Sequence, residues 1–283
     1  MNNQTQIMQY MHQRLLEESR SSDKIMLLIL AAHLPFIYFI VPSGYGSNLQ
    51  GAIPATLAVI ASLAAYKTAQ GTLFSRCIIG VSFMVMSMIM IMQQFGRLEM
   101  HFHIFTALAF LIIWRDWRVI VISAGAIAIH HALSVPLQLS GVDLGGMPYI
   151  AYAQTCDWPT FFLHALFVVI ESAVLIFYCL RMQRQFVLAN HLIANIQNAA
   201  TNKDVTGDVS LIPAKNQTDK LFVASLKRFY EMIRDNMLSF QKSSSELSEI
   251  SLKSSEISSQ NESDLNSQNE SIQSIVTAIN EMT

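Results

Sequence analysis

Long apolar runs constrain this chain more than any other feature. A bilayer core of about 30 Å is crossed by about 20 helical residues, with latitude for tilt. Runs of that kind occur at residues 25–41, 51–66, 74–92, 98–114, 117–137 and 158–180. Lipid offers the backbone no water to bond to, so these runs have to be helices. The expected fold class is therefore all-α, with a six-helix transmembrane bundle. Composition agrees, since 52% of the 283 residues are apolar and 13% charged, too few charges to coat a water-exposed domain of this length. The average hides two solvents, because a Ser-, Glu- and Asn-rich stretch follows Lys242. A formal net charge of -2 points to neither nucleic acid nor a strongly acidic partner. Cys77, Cys156 and Cys179 lie far apart without C-x-x-C spacing, and read as buried thiols rather than a disulfide framework or zinc ribbon. No small-residue cleavage site follows the first apolar run, so it is expected to stay as a span rather than leave as a signal peptide.

Basic residues orient the spans. Arg14, Arg20 and Lys24 precede the first run, Lys67 and Arg76 separate the second from the third, Arg115 and Arg118 join the fourth to the fifth, and Arg181 and Arg184 follow the sixth. The opposite loops carry only Arg97, so both ends of the chain are expected in the cytoplasm. Tyr45, Tyr149, Tyr152 and Trp158 fall where an outer aromatic belt would lie, and Trp114 and Trp117 where an inner one would. The outer loops are too short for a folded ligand-binding domain, which leaves the membrane, its outer surface or the cytoplasm as the place of sensing.

Histidine carries the chemistry. His33, His101, His103, His130, His131 and His164 all fall within runs, and ionisable groups in spans usually mark a function. At ~1.5 Å per residue, His101 and His103 lie about 5–8 Å below the outer end of their helix, and His130, His131 and His164 about 9–11 Å below theirs. Five imidazoles thus share one layer, which His33 can also approach. Glu99, His103 and Thr106 share one helical face, Asp157, Thr160, His164 and Glu171 share a stripe on the sixth helix, and each polar stripe is expected to face the bundle interior. His101 points about 200° from His103, and His130 diverges from His131 by about 100°, so two sites, or one site with supporting partners, fit better than one ion held by all five. Imidazole suits copper, zinc, iron or nickel, with Glu99, Glu171 or Asp157 as possible further ligands or orienting groups. Copper is the first expectation, because Met84, Met86, Met88, Met90 and Met92 add thioethers, although methionine in a membrane helix more often simply packs. Three alternatives stay open. The same histidines could ligate a b-type haem, with Gly125 admitting a porphyrin edge; they could sense protons without a cofactor; and a receptor for small apolar molecules needs no metal. Spacings of H-x-H and HH differ from the H-x-x-H-H boxes of membrane di-iron oxidases, so an enzyme is not expected.

Beyond the sixth run, Phe222, Leu226, Phe229 and Ile233 recur at spacings of four, three and four, one apolar helical face. Leu247, Ile250, Ile257 and Leu265, then Ile272, Ile275, Ile279 and Met282, extend a thin apolar line of the coiled-coil kind. The last eight residues, VTAINEMT at 276–283, closely resemble the start of the methylated helix of bacterial methyl-accepting chemotaxis proteins. KDVTGDV at 203–209 is similar to the connector of a HAMP relay domain, although the proline usual in that family's first helix is absent. The segment 99–118, EMHFHIFTALAFLIIWRDWR, is similar to a membrane sensor module attached to several bacterial signalling outputs.

The resemblance implies a homodimeric transmembrane chemoreceptor of the bacterial inner membrane, assembled into arrays. A cytoplasmic segment would occupy 1–23, the six-span sensor 24–182, a HAMP-like relay 183–237, and the start of a parallel/antiparallel signalling coiled coil 238–283. A chemotaxis histidine kinase and its coupling protein would bind a tip further along than Thr283. A receptor methyltransferase and methylesterase would adjust side chains on the coiled coil. Gln273 falls near one adaptation position, while Asn280 stands where the family has Glu or Gln.

Overall fold

The computed structural model describes residues 3–202, 214 and 216–281, and divides into two units, Met1–Ile196 and Gln197–Thr283. Described residues form no β-strand, and the fold is all-α. The first unit holds α1 (Asn3–Pro35), α2 (Asn48–Ala69), α3 (Leu73–Gln93), α4 (Leu98–Phe110), α5 (Trp117–Leu139) and most of α6 (Trp158–Asn202). Helices α1, α2, α3, α5 and α6 are long and apolar enough to cross a membrane. Helix α4 is shorter, but a 3-10 turn, Leu111–Trp114, continues it, and at the larger 3-10 rise the two together span about 27 Å.

Pro35 lacks an N–H and its ring crowds the preceding turn, and the chain answers with a π-helical turn at Phe36–Ile40 in which Val41 N–H reaches the Phe36 carbonyl. α3 is the hub. It packs on α1, α2, α4 and α5, and 61% of its apolar window is buried, against 11% for α6, which therefore lies at the edge of the bundle. Small residues permit the close crossings. Ser62 of α2 donates to Ser82 of α3 at 2.8 Å, and a Cβ added at Gly80 would come within 2.6 Å of Ser123 Oγ on α5. Met84, Met86 and Met90 are fully buried in this core and pack beside Ile79, Phe83 and Ile91.

One end of the unit is ionic. Asp23 of α1, fully buried, accepts from Gly71 N–H at 2.7 Å and from Trp114 Nε1–H at 2.8 Å, joining three segments through one carboxylate. Arg76 bridges Asp116 at 3.1 Å and donates to Ser19 and the Gly71 carbonyl, while the Arg115 guanidinium stacks 3.8 Å from the Phe186 ring centroid on α6. Trp114 is thus a buried hydrogen-bond donor and not a lipid-facing belt residue. At the other end, Gln138 Oε1 accepts from Ala151 N–H and Tyr152 N–H, folding the loop after α5 back over the bundle.

The second unit contains α7 (Gln217–Glu281), one 65-residue helix, about 98 Å long, with no buried residue. It runs unbroken through both apolar lines read from the sequence. The KDVTGDV segment at 203–209 lies outside the described residues, as do Met282 and Thr283. α1 and α7 likewise run unbroken through the domain boundaries expected at 23/24 and 237/238.

Candidate functional site

The intramembrane histidines form two groups near the loop end of the first unit. Regular helix geometry decides the division on α4, where His101 and His103 are about 200° apart and fall into different groups.

The first group is a triad. His101 on α4, His131 on α5 and His164 on α6 have ring centroids 5.5 Å (101–131), 5.3 Å (101–164) and 6.2 Å (131–164) apart. Each Nδ1 lies within hydrogen-bonding distance of the carbonyl four residues earlier: His101 to Arg97 at 3.1 Å, His131 to Ile127 at 3.1 Å, and His164 to Thr160 at 2.8 Å. A carbonyl can only accept, so Nδ1 carries the proton in all three neutral rings and Nε2 is left as the lone pair. His101 Nε2 and His131 Nε2 are buried and meet no partner. The Ala151 carbonyl also approaches the His101 ring and offers it a second acceptor. Tyr152 closes the group from the loop side, its ring 5.8 Å from His131 and 5.5 Å from His164, with its hydroxyl donating to the His131 carbonyl at 2.9 Å. Burial raises the Tyr152 phenol pKa, which keeps it a neutral donor.

His130 stands beside the triad, its ring centroid 5.3 Å and its Nδ1 3.5 Å from those of His131, while its Nε2 is engaged elsewhere. Ser134 Oγ donates to the His130 carbonyl at 2.7 Å, so Tyr149 must donate to Ser134 (2.7 Å) and accept from His130 Nε2–H (3.2 Å). That closed ring of bonds makes His130 an orienting neighbour.

The second group is a chain. His33 Nδ1–H donates to the Ile29 carbonyl at 2.7 Å, so His33 Nε2 accepts from His103 Nε2–H at 3.0 Å, and His103 Nδ1 accepts the Ser87 Oγ–H at 2.7 Å in preference to the Phe83 carbonyl, 3.2 Å from the same hydroxyl. Every ring nitrogen there is paired, and the chain ties α1, α3 and α4 together.

The expected carboxylates lie apart from the triad. Glu99 is exposed and held by Arg97 at 2.9 Å, a correction to the polar face expected to turn inward on α4. Asp157 Oδ1 accepts from Thr160 N–H at 2.8 Å at the start of α6. Hydrogen bonds from the Thr160 side chain and then its N–H, outweighing slight desolvation, hold the Asp157 carboxyl below its ordinary value. Glu171 is half-buried two turns beyond His164, and its Oε2 has no partner. Tyr149, Tyr152 and Ser87 do not stand out in the sequence as site residues. The two tyrosines read there as belt residues, and only their spacing from the folded-back loop would have marked them.

Three imidazoles binding one ion through Nε2 at about 2.0 Å have ring centres about 5 Å apart. The triad is close to that spacing and slightly open along the 131–164 edge. Among the described residues no three His, Cys, Asp or Glu donors already converge on a single ion position. The triad has two approaches. A polar cleft at the loop end, bordered by Gln94, Arg97, Tyr152 and Thr160, reaches His101 and His164, and an apolar cavity between α4, α5 and α6 reaches all three rings.

The fold and site define an all-α chain with membrane-length helices and a histidine triad in which His101 and His131 are buried and His164 is half-buried. Compared with protein-family models, curated proteins and solved structures, the chain matches none of them.

Proposed function

We propose that this chain is the membrane-embedded sensory part of a homodimeric bacterial chemoreceptor that binds a transition metal, copper first, on His101, His131 and His164. The observation that carries the reading is the clustering of the triad rings. Three helices bring imidazole rings to centroid spacings of 5.3–6.2 Å, and the Nε2 atoms of His101 and His131 are buried without a partner, a costly arrangement unless a ligand satisfies it. Imidazole donors suit copper or zinc, and three of them leave a further coordination position open. Met92 and Met147 pack with Tyr152 in the adjoining apolar cluster, giving soft surroundings that favour Cu(I).

In this reading α4 with its 3-10 end completes six spans. The ionic end, with Arg76, Arg115 and Arg118, faces the cytoplasm, and the triad lies near the outer face. Tyr152 and the i−4 carbonyls orient the rings, the loop-end cleft admits the ion, and His164 reports its state to α6. That helix continues unbroken from the triad to Asn202. A shift of α6 would alter the packing of the exposed apolar line on α7 against a second copy, the change a kinase-coupled receptor needs.

The test is elemental analysis and a visible spectrum on protein purified without chelator or metal-affinity tag. Near-stoichiometric copper is expected in the wild type and in His103→Ala, with loss in His101→Ala, His131→Ala and His164→Ala. Absence of metal, or equal metal in the triad variants, overturns the reading, and a Soret band replaces it with haem.

A further inference from the structure

We infer that the cavity between α4, α5 and α6 binds a planar aromatic alcohol, of the phenol or quinol type, drawn from the bilayer. The inference rests on the triad geometry of the sensor reading but not on its metal. The cavity has a volume of about 340 Å³, within the range of small-molecule sites. Phe102 and Phe105 of α4 and Phe161 and Phe167 of α6 supply ring surface on two sides, suited to a flat aromatic guest. Ile127, Ala128 and Val168 close the walls with aliphatic groups.

The polar groups of the lining are the three histidine rings. His101 and His131 are each 5% exposed, and their Nε2 atoms are closed off and without a partner, so a guest hydroxyl meets them as the helices around the cavity give way. Because each Nδ1 already donates to its own helix, Nε2 can only accept. The guest must therefore bring a donor, and a hydroxyl on a ring answers both the walls and the acceptors. An ether, ketone or hydrocarbon of the same shape would leave the nitrogens bare.

Access is from the side. Phe102, Leu163 and Phe167 line the cavity and are also 58%, 55% and 54% exposed, on helix faces that a bilayer would cover. α6 is the least buried helix of membrane length, so it can yield to a guest at little packing cost. The occupant consequently touches the helix that leads toward the signalling region.

The test is equilibrium binding of 2-naphthol to the full chain in lipid nanodiscs, with empty discs of the same lipid to subtract partitioning. Chelator-stripped and copper-loaded samples are run in parallel, with metal content measured on each. Saturable binding of one naphthol per chain is expected in the stripped protein. It should be about tenfold weaker for 2-methoxynaphthalene and for His131→Phe, the loss that one donated hydrogen bond to a buried acceptor carries. Ala165→Phe, which fills the cavity from α6 and leaves every imidazole in place, should abolish it. Equal binding of the ether, or binding unchanged by Ala165→Phe, overturns the inference, as does absence of saturable binding in the stripped protein. Naphthol binding by protein that takes up no copper would sustain the inference and overturn only the metal reading.

Discussion

Replacing Gly96 with alanine should unseat the loop that covers the triad. Gly96 has φ +75°, a left-handed conformation that costs a side-chain-bearing residue about 1 kcal/mol. A Cβ there would stand 2.7 Å from Ala153 N and 2.8 Å from both the carbon and the oxygen of the Ala151 carbonyl. These are backbone atoms, which cannot swing aside as a flexible side chain can, and overpacking of this kind costs about 1–3 kcal/mol more. The expected loss is about 2–4 kcal/mol, or a fall in melting temperature of about 6–12 °C for a mid-range loss in a unit of this size. Tyr152 lies between the two displaced residues and packs on His131 and His164, so, under the proposed metal reading, copper uptake should fall along with stability. Tryptophan-fluorescence melting in detergent, paired with metal analysis, reads both effects. Gly125→Ala is the control. Gly125 is helical with open space around its missing Cβ, and alanine there should be neutral or stabilise by up to about 1 kcal/mol. A Gly96→Ala protein that melts within a degree of wild type and keeps its copper would refute the reasoning.

Asp23→Ala strips the acceptor from Gly71 N–H and Trp114 Nε1–H together, and should cost about 2–4 kcal/mol in the same melting assay, with Asp23→Asn losing less because one oxygen remains. Asp116 gives a pH dependence. Burial pushes its carboxyl up, but hydrogen bonds from Arg118 and the charges of Arg118 and Arg76 together hold it below the ordinary value. The folded value is thus below the unfolded value of about 3.9, so its stabilisation is complete above that pH and is lost as the pH falls through the folded value. Melting temperature should drop as acid is added below about pH 4 in the wild type, and by a smaller step in Asp116→Asn, which begins less stable; parallel curves would remove Asp116 from the account.

Much of the architecture is legible in the sequence, for a reason particular to membranes. A bilayer-length apolar run has one satisfactory backbone conformation, so the six runs and the helices α1–α6 correspond closely, and their order around the bundle ends follows from the loops. The phase of α4 likewise sets His101 and His103 on different sides without knowledge of any neighbour, because a single helix carries that information. Which helix meets which face is another matter. Apolar residues dominate α2, α5 and α6, and even the stripe of Asp157, Thr160, His164 and Glu171 on α6 does not say which neighbour it meets. Only packing joins His101 to His131 and His164, sends His103 to His33 and Ser87, and leaves Glu99 outside with Arg97. Tyr152 and Trp114 make the same point. Each lies where an interfacial aromatic belongs, yet one is carried over the triad by a loop pinned on Gln138, and the other is captured by a carboxylate 91 residues earlier. The sequence by itself determined which apolar segments are helical and the chemical groups they carry, though α1 begins well before its apolar run and α6 continues well past its own. The tertiary structure alone decided which groups meet, because that depends on contacts between segments whose own periodicity expresses no preference.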